Sequence, residues 1–170
     1  MQNFLILSDV HGDTASLRRV LELSRGALGV FFLGDGLSEV VAASRAAGIP
    51  LYAVRGNCDA LTATDTPVDH ELTVTVGAHR ILLLHGHTVG VKGGGYGGLI
   101  SRAHANGADV VLYGHTHARD ERYFRAGEGG PLTVFNPGSL GRPPEGGPSF
   151  GTLAVSESGE LLFGYGEVRA

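Results

Sequence analysis

Five short polar clusters constrain this chain more than any other feature. They are Ser8-Asp9-Val10-His11-Gly12, Gly34-Asp35-Gly36, Gly56-Asn57-Cys58-Asp59, His85-Gly86-His87 and Gly114-His115-Thr116-His117, and each sits at the end of a short apolar run. Short apolar runs bounded by turn formers read as buried strands. In open α/β sheets the loops at the carboxyl ends of strands converge on one crevice, so residues far apart in sequence meet there. Glycine beside each polar group permits the tight turns and close backbone approach that a crowded site requires. That is where many of the 28 glycines in 170 residues belong.

The apolar periodicity supplies the scaffold. Residues 3–7, 30–33 and 51–54 read as strands. Residues 14–23, with Leu17, Val20 and Leu21 at helical spacing, and 37–47, ended by Gly48 and Pro50, read as helices. Asp13 or Thr14 is placed to cap the first of these. Repeated βαβ units imply parallel strands buried on both faces. After Pro67 the pattern changes: 71–76 alternates, Gly77-Ala78 can turn and 81–84 is a buried run, as in a hairpin. A helix over 99–106, closed by Gly107, and a strand over 110–113 follow. Alternating segments at 123–125, 133–135, 151–155 and 161–165 then make the second half read as mostly antiparallel. An α/β sandwich of two facing mixed sheets with helices outside accommodates both halves, as one domain over residues 1–170 with no internal repeat and no linker.

Composition narrows the function classes. No apolar run approaches the roughly 20 residues that cross a bilayer, and no basic segment with an apolar stretch opens the chain, so neither a membrane protein nor a Sec-exported one is expected. The single cysteine, Cys58, makes no internal disulfide, which suits a reducing cytoplasm. A formal charge of -4, a pI near 6.0 and the lack of a Lys/Arg block argue against a stable nucleic-acid partner.

The clusters themselves gather carboxylate, imidazole and amide donors. Asp9, His11, Asp35, Asn57, His85, His115 and His117 suit borderline or hard divalent ions, and no thiolate set is present. Seven donors exceed the positions of one ion, whereas two ions sharing Asp35 would each take four protein ligands and keep room for water. A pair about 3.5–4 Å apart can hold a hydroxide and clamp the oxygens of an in-line phosphoryl displacement.

The ordered set D-x-H, G-D, G-N-x-D, H, G-H-x-H, running from Asp9 to His117, resembles the calcineurin-like metallophosphoesterases. Together with Asn136-Pro137-Gly138-Ser139 and the small size, it resembles the YfcE-type small phosphodiesterases among them. The resemblance implies a four-layer α/β/β/α sandwich. It implies that Asp9, His11, Asp35 and His117 hold one metal while Asp35, Asn57, His85 and His115 hold the other. Mn²⁺ is the first expectation, with Ni²⁺, Fe²⁺ or Zn²⁺ as alternatives. The expected reaction is hydrolysis of a small phosphodiester by a hydroxide bridging the ions, with Asp35, Asn57, His87 and His115 as the catalytic candidates. A phosphomonoesterase, a nuclease on the same centre and a non-catalytic retromer-like scaffold are the alternatives. A homo-oligomer is also implied by resemblance alone.

One departure from the family pattern matters. A histidine follows the Gly-Asn pair in many larger members and is assigned to leaving-group protonation, but here Cys58 stands there. His87 is the candidate replacement, as proton donor or as a group that touches substrate or supports a ligand. Cys58 reads as a small buried residue near the site rather than a nucleophile, since no Cys-x5-Arg loop follows. His70, His79 and His104 read as solvated surface residues. Asp59 is either a carboxylate that orients a ligand or a turn residue. Asn136 is expected to help shape the site, Arg142 reads as a surface residue with contact to substrate phosphate as the alternative, and Gly93 to Gly98 form a loop near the site rather than a dinucleotide cradle, because no strand directly precedes them.

Overall fold

The computed structural model describes residues 1–61, 64–65, 67–127 and 130–169. Its elements run β1 (Gln2–Leu7), α1 (Thr14–Leu23), β2 (Gly29–Phe32), α2 (Leu37–Ala47), β3 (Leu51–Ala53), β4 (Glu71–Val76), β5 (His79–Leu84), α3 (Gly97–Asn106), β6 (Val110–Tyr113), β7 (Arg119–Gly127), β8 (Gly130–Pro137), β9 (Ser149–Val155) and β10 (Leu161–Glu167). Two short 3-10 turns, His87–Val89 and Val91–Gly93, lie between β5 and α3.

The strands form two five-stranded sheets, ordered β10-β9-β1-β2-β3 and β4-β5-β6-β8-β7. Strand periodicity explains why both sheets are covered twice. In β1, Phe4 and Ile6 face the other sheet, while Leu5 and Leu7 pack against the two helices that cover the outside. β5 and β6 repeat the device: Ile81, Leu83, Val110 and Leu112 enter the core between the sheets, and Leu82, Leu84, Val111 and Tyr113 meet α3. Three apolar layers therefore separate four layers of structure, the expected α/β/β/α sandwich.

Local chemistry sets the helix ends. Asp13 accepts the Ser16 N–H at 3.0 Å and starts α1, and Gly48 ends α2 in the left-handed region at φ +68°. Two features depart from the sequence pattern. β7 begins at Arg119, well before the apolar signal, because this edge strand presents charged side chains that hide its pairing with β8. The centre of the second sheet is parallel, β6 lying parallel to both β5 and β8. α3 and β7 supply the two crossovers that this direction requires.

This topology positions the site. β1 pairs in parallel with β2 and β2 with β3, while β5 pairs in parallel with β6 in the facing sheet. The polar clusters after all five strands thus emerge at one end of the sandwich, from both sheets.

Candidate metal centre

The backbone bends sharply where the donors sit. Among the described residues, the non-glycine residues with positive φ are Asp9, His11, Asp35, His115 and His117, at 44° to 67°. Each is one of the seven predicted donors. Such conformations cost about 1–3 kcal/mol apiece and persist only where surrounding structure enforces them. Here tertiary hydrogen bonds enforce them: Asp9 N–H donates to Gly34 O at 3.0 Å, and Val10 and His11 N–H both donate to Asp35 O. Glycine is required where these loops touch. A methyl group on Gly56 would collide with the Asp35 carboxylate, and one on Gly114 with the Ser8 hydroxyl.

All seven predicted donors converge. His117 Nε2 lies 3.2 Å from Asp9 Oδ1 and 3.2 Å from His11 Nε2, which is itself 3.6 Å from Asp9 Oδ1 and 3.8 Å from Asp35 Oδ2. On the other side of Asp35, His85 Nε2 lies 3.4 Å from its Oδ2, 3.1 Å from Asn57 Oδ1 and 3.2 Å from His115 Nδ1. Asp35 stands between the two sets. Asp9–His11–His117 and Asp9–Asp35–His85 are each compact enough for one ion to touch every member.

Hydrogen bonds behind the donors fix what they present. His85 Nδ1–H donates to Leu33 O at 2.6 Å and His117 Nδ1–H to Arg142 O at 3.1 Å, so each ring turns its Nε2 lone pair inward. Asp9 Oδ2 is held by the Ser8 hydroxyl at 2.5 Å and by His115 N–H at 3.0 Å. Its Oδ1 is buried and receives no hydrogen bond from any described residue. In the neutral, ligating form of each ring, a lone pair of His117 thus faces a bare carboxylate oxygen, and a lone pair of His85 faces the Asn57 carbonyl. Such acceptor pairs repel unless a cation lies between them. The donor set therefore fits divalent metal ions.

The electrostatics agree. Burial lowers the pKa of His11 despite the neighbouring Asp9 and Asp35. Burial, aided by the charges of His85 and Lys92, pushes His115 down to about 4. Both rings are therefore neutral near pH 7, the form that binds metal. Burial works to raise the pKa of Asp35, but the His85 hydrogen bond and charge and the Cys58 N–H hold its carboxyl well below the usual range. Burial opposes protonation of His85, yet Asp35 and Asp9 outweigh it and raise its pKa. The same negative potential favours a metal cation.

The other expectations fare unevenly. His87 lies beside the donors, its ring centroid 5.4 Å from His85 and 6.1 Å from His115. Burial first, then the charges of His85, His70 and Arg55, lower its pKa, so it is neutral near pH 7 and a weak reservoir of protons. Cys58 is exposed, not buried as expected; its N–H donates to Asp35 Oδ1 at 2.8 Å, and its thiol lies within 4.8 Å of donor atoms of Asp35 and His11. Asp59 is a supporting carboxylate that accepts four backbone N–H groups. Asn136 is fully buried; its amide donates to Gly114 O and Thr116 Oγ1 and accepts from Gly138 N–H, so it braces the loop carrying His115 and His117. Arg142 is exposed and contributes its backbone carbonyl. His104 is exposed as expected. His79 instead bridges Asp109 and Gly159 O away from the site, and His70 sits against Arg55 and His87. No motif surrounds His70, so only the tertiary structure brings it in.

Residues 2–158 match the family model described as calcineurin-like phosphoesterase superfamily domain. Phosphodiesterase YfcE of Escherichia coli K12 is 32% identical over 90% of this chain and 88% of that protein. The probable metallophosphoesterase YsnB of Bacillus subtilis is 34% identical over 83% of this chain and 76% of its own length. The solved structure of E. coli YfcE, described as a phosphoesterase, superposes with a TM-score of 0.69 at 25% identity, covering 99% of this chain and 100% of that one.

Proposed function

The chain belongs to the calcineurin-like phosphoesterase superfamily, a metal-dependent hydrolase of phosphoester bonds, and from that premise we propose that it cleaves small phosphodiesters at two divalent ions. Asp9, His11, Asp35 and His117 would hold one ion and Asp35, Asn57, His85 and His115 the other, with Asp35 shared. Bound ions of this kind lower the pKa of water and neutralise charge on the oxygens of an in-line phosphoryl displacement. An all nitrogen and oxygen donor set supports Mn²⁺ first, with Ni²⁺, Fe²⁺ or Zn²⁺ as alternatives.

The chain's own groups do the rest. Leu33 O and Arg142 O keep His85 and His117 in the ligating tautomer. Ser8 and the His115 N–H occupy one oxygen of Asp9 and leave the other for the ion. His87 faces the substrate as a neutral hydrogen-bond partner. Both sheets feed this one centre, which supports reading residues 1–170 as one domain. Among the described residues no helix is long and apolar enough to cross a membrane; the single cysteine supports a cytoplasmic location.

The observation that carries this reading is Asp9 Oδ1, buried, without a hydrogen bond from any described residue and 3.2 Å from a histidine lone pair. Seven converging donors, two of them histidines whose Nδ1–H is held by a backbone carbonyl, favour catalysis over a non-catalytic scaffold of the same fold. Release of nitrophenol from bis-p-nitrophenyl phosphate with Mn²⁺ tests the proposal, with a phosphomonoester and a single-stranded oligonucleotide as competing substrates. Loss of turnover on chelation and in Asp35→Asn and His117→Ala is expected. Undiminished turnover in either variant, or none with any divalent ion, overturns it.

A further inference from the structure

We propose that His70 is a positioning residue that joins the Arg55 guanidinium and the His87 imidazole into one rim on the Asn57, His85 and His115 side of the centre, and that this rim grips a phosphate oxygen of the substrate. The inference rests on the phosphoesterase reading and adds the group that organises substrate binding.

Three segments meet here. Arg55 follows β3 in the first sheet, whereas His70 and His87 flank the β4–β5 hairpin of the second. His70 engages Arg55 at both ring nitrogens: Nε2 lies 2.7 Å from Arg55 Nη2 and Nδ1 lies 3.3 Å from Arg55 O. One tautomer satisfies both contacts, with Nδ1–H donating to the carbonyl and the Nε2 lone pair accepting from the guanidinium. Arg55 N–H adds a third tie, donating to Asp69 O at 2.9 Å. The His70 ring also packs edge-on against His87, centroid to centroid 5.1 Å. His87 in turn lies 5.4 Å from His85, so an unbroken row of rings connects Arg55 to the proposed ligands.

Two nitrogens in this row are buried without a hydrogen bond to any described residue, Arg55 Nε and His87 Nδ1. Unsatisfied buried groups are costly, and an arriving acceptor recovers the most where they lie. An oxyanion matches a guanidinium better than any neutral group does. An arginine free to rotate would lose side-chain entropy on binding it. Clasped by His70, the guanidinium is already ordered, so the cost of ordering is met on folding rather than on binding.

The test uses the Mn²⁺-loaded protein and three variants. His70→Ala removes the clasp, His70→Phe keeps a ring against His87 but removes both nitrogens, and His70→Gln restores an acceptor for Arg55. Inorganic phosphate affinity by calorimetry and KM for bis-p-nitrophenyl phosphate are the readouts, with Mn²⁺ stoichiometry measured beside them. Phosphate affinity is expected to weaken and KM to rise roughly tenfold in His70→Ala and His70→Phe, the scale of one charge-assisted contact. Mn²⁺ uptake and kcat should stay near the parent's, and His70→Gln should recover most of the loss. If His70→Ala does not fold, the contrast between Phe and Gln decides. Unchanged phosphate affinity in His70→Phe, a Gln variant no better than Phe, or loss of Mn²⁺ alongside the rise in KM would each overturn the proposal. Because phosphate binding is read without turnover, failure of the hydrolase reading would show separately, as a parent protein that binds Mn²⁺ and phosphate yet releases no nitrophenol.

Discussion

The Asp59 carboxylate accepts the backbone N–H of Asp35 at 2.8 Å, and with it those of Gly36, Leu37 and Gly56 at 2.8 to 2.9 Å. Asp35 is the carboxylate proposed above to be shared between two ions, and Asp59 binds its backbone on one side and the Gly56-Asn57 turn on the other. It also sits at the amino end of α2, where its negative charge interacts favourably with the positive end of the helix dipole. Asp59→Ala strands four N–H groups. Metal affinity should fall by roughly 10- to 100-fold, as for other groups that orient ligands, and stability by about 2–4 kcal/mol. Titration calorimetry and urea unfolding check both; a variant with parental metal affinity would leave Asp59 as a turn residue only.

Asn136 makes the matching prediction on the opposite sheet. It braces Gly114, Thr116 and Gly138 from a fully buried position. Asn136→Ala should displace the loop carrying His115 and His117 and lower turnover by about 10- to 100-fold, since small misplacements of reacting groups are expensive. Asn136→Asp, nearly isosteric but without the amide donor, should do the same. Steady-state kinetics at saturating Mn²⁺ separate this loss from simple metal depletion.

Metal binding should stabilise the fold and be acid-sensitive. The neighbouring oxygens of Asp9 and Asp35 repel one another, and an ion between them relieves that repulsion. Free ion at about 100 times its Kd should add roughly 2.7 kcal/mol to unfolding free energy, and chelation should remove it. As pH falls, His85 takes up a proton before His11 and His115, because Asp35 and Asp9 raise its pKa while burial lowers theirs. His115, pushed to about 4, follows much later. Mn²⁺ affinity should therefore weaken well above pH 4; melting curves with and without Mn²⁺ at several pH values read this directly.

Much of this arrangement was legible before any coordinates. The helices over 14–23 and 37–47 and the strands over 71–76 and 110–113 fall where periodicity put them, because each buries a regular face and ends at a strong stop such as Gly48. The seven donors were legible because each lies at the end of an apolar strand with glycine nearby, where side-chain identity is set by chemistry rather than by packing. Of β7 only 123–125 was, since an edge strand need not alternate apolar and polar residues along its whole length. His70 was not, because its partners Arg55 and His87 lie 15 and 17 positions away and nothing local marks their approach. The exposure of Cys58 was not, because small apolar residues near sites are usually enclosed, whereas here its N–H and its thiol both turn toward Asp35.

His79 offers a pH prediction independent of the metal. Its Nδ1 lies 2.6 Å from Asp109 Oδ2 and its Nε2 2.8 Å from Gly159 O, so both nitrogens face acceptors and the protonated ring satisfies both. Partial burial opposes protonation, but the hydrogen bonds to Gly159 O and Asp109 prevail and the pKa rises above its ordinary value of 6.5. The folded state then holds the proton more tightly than the unfolded chain does. The resulting stabilisation is fully present below the unfolded value and is lost as pH rises through the folded one. Both side chains are partly open to solvent, at 23% and 39%, so the effect is screened. About 0.5 kcal/mol is expected, within the range of exposed ion pairs. Urea unfolding of the metal-free protein at pH 6 and pH 8 should show this decrement in the parent and not in His79→Gln, which keeps polar atoms but cannot titrate; an equal decrement in both would assign it to other groups.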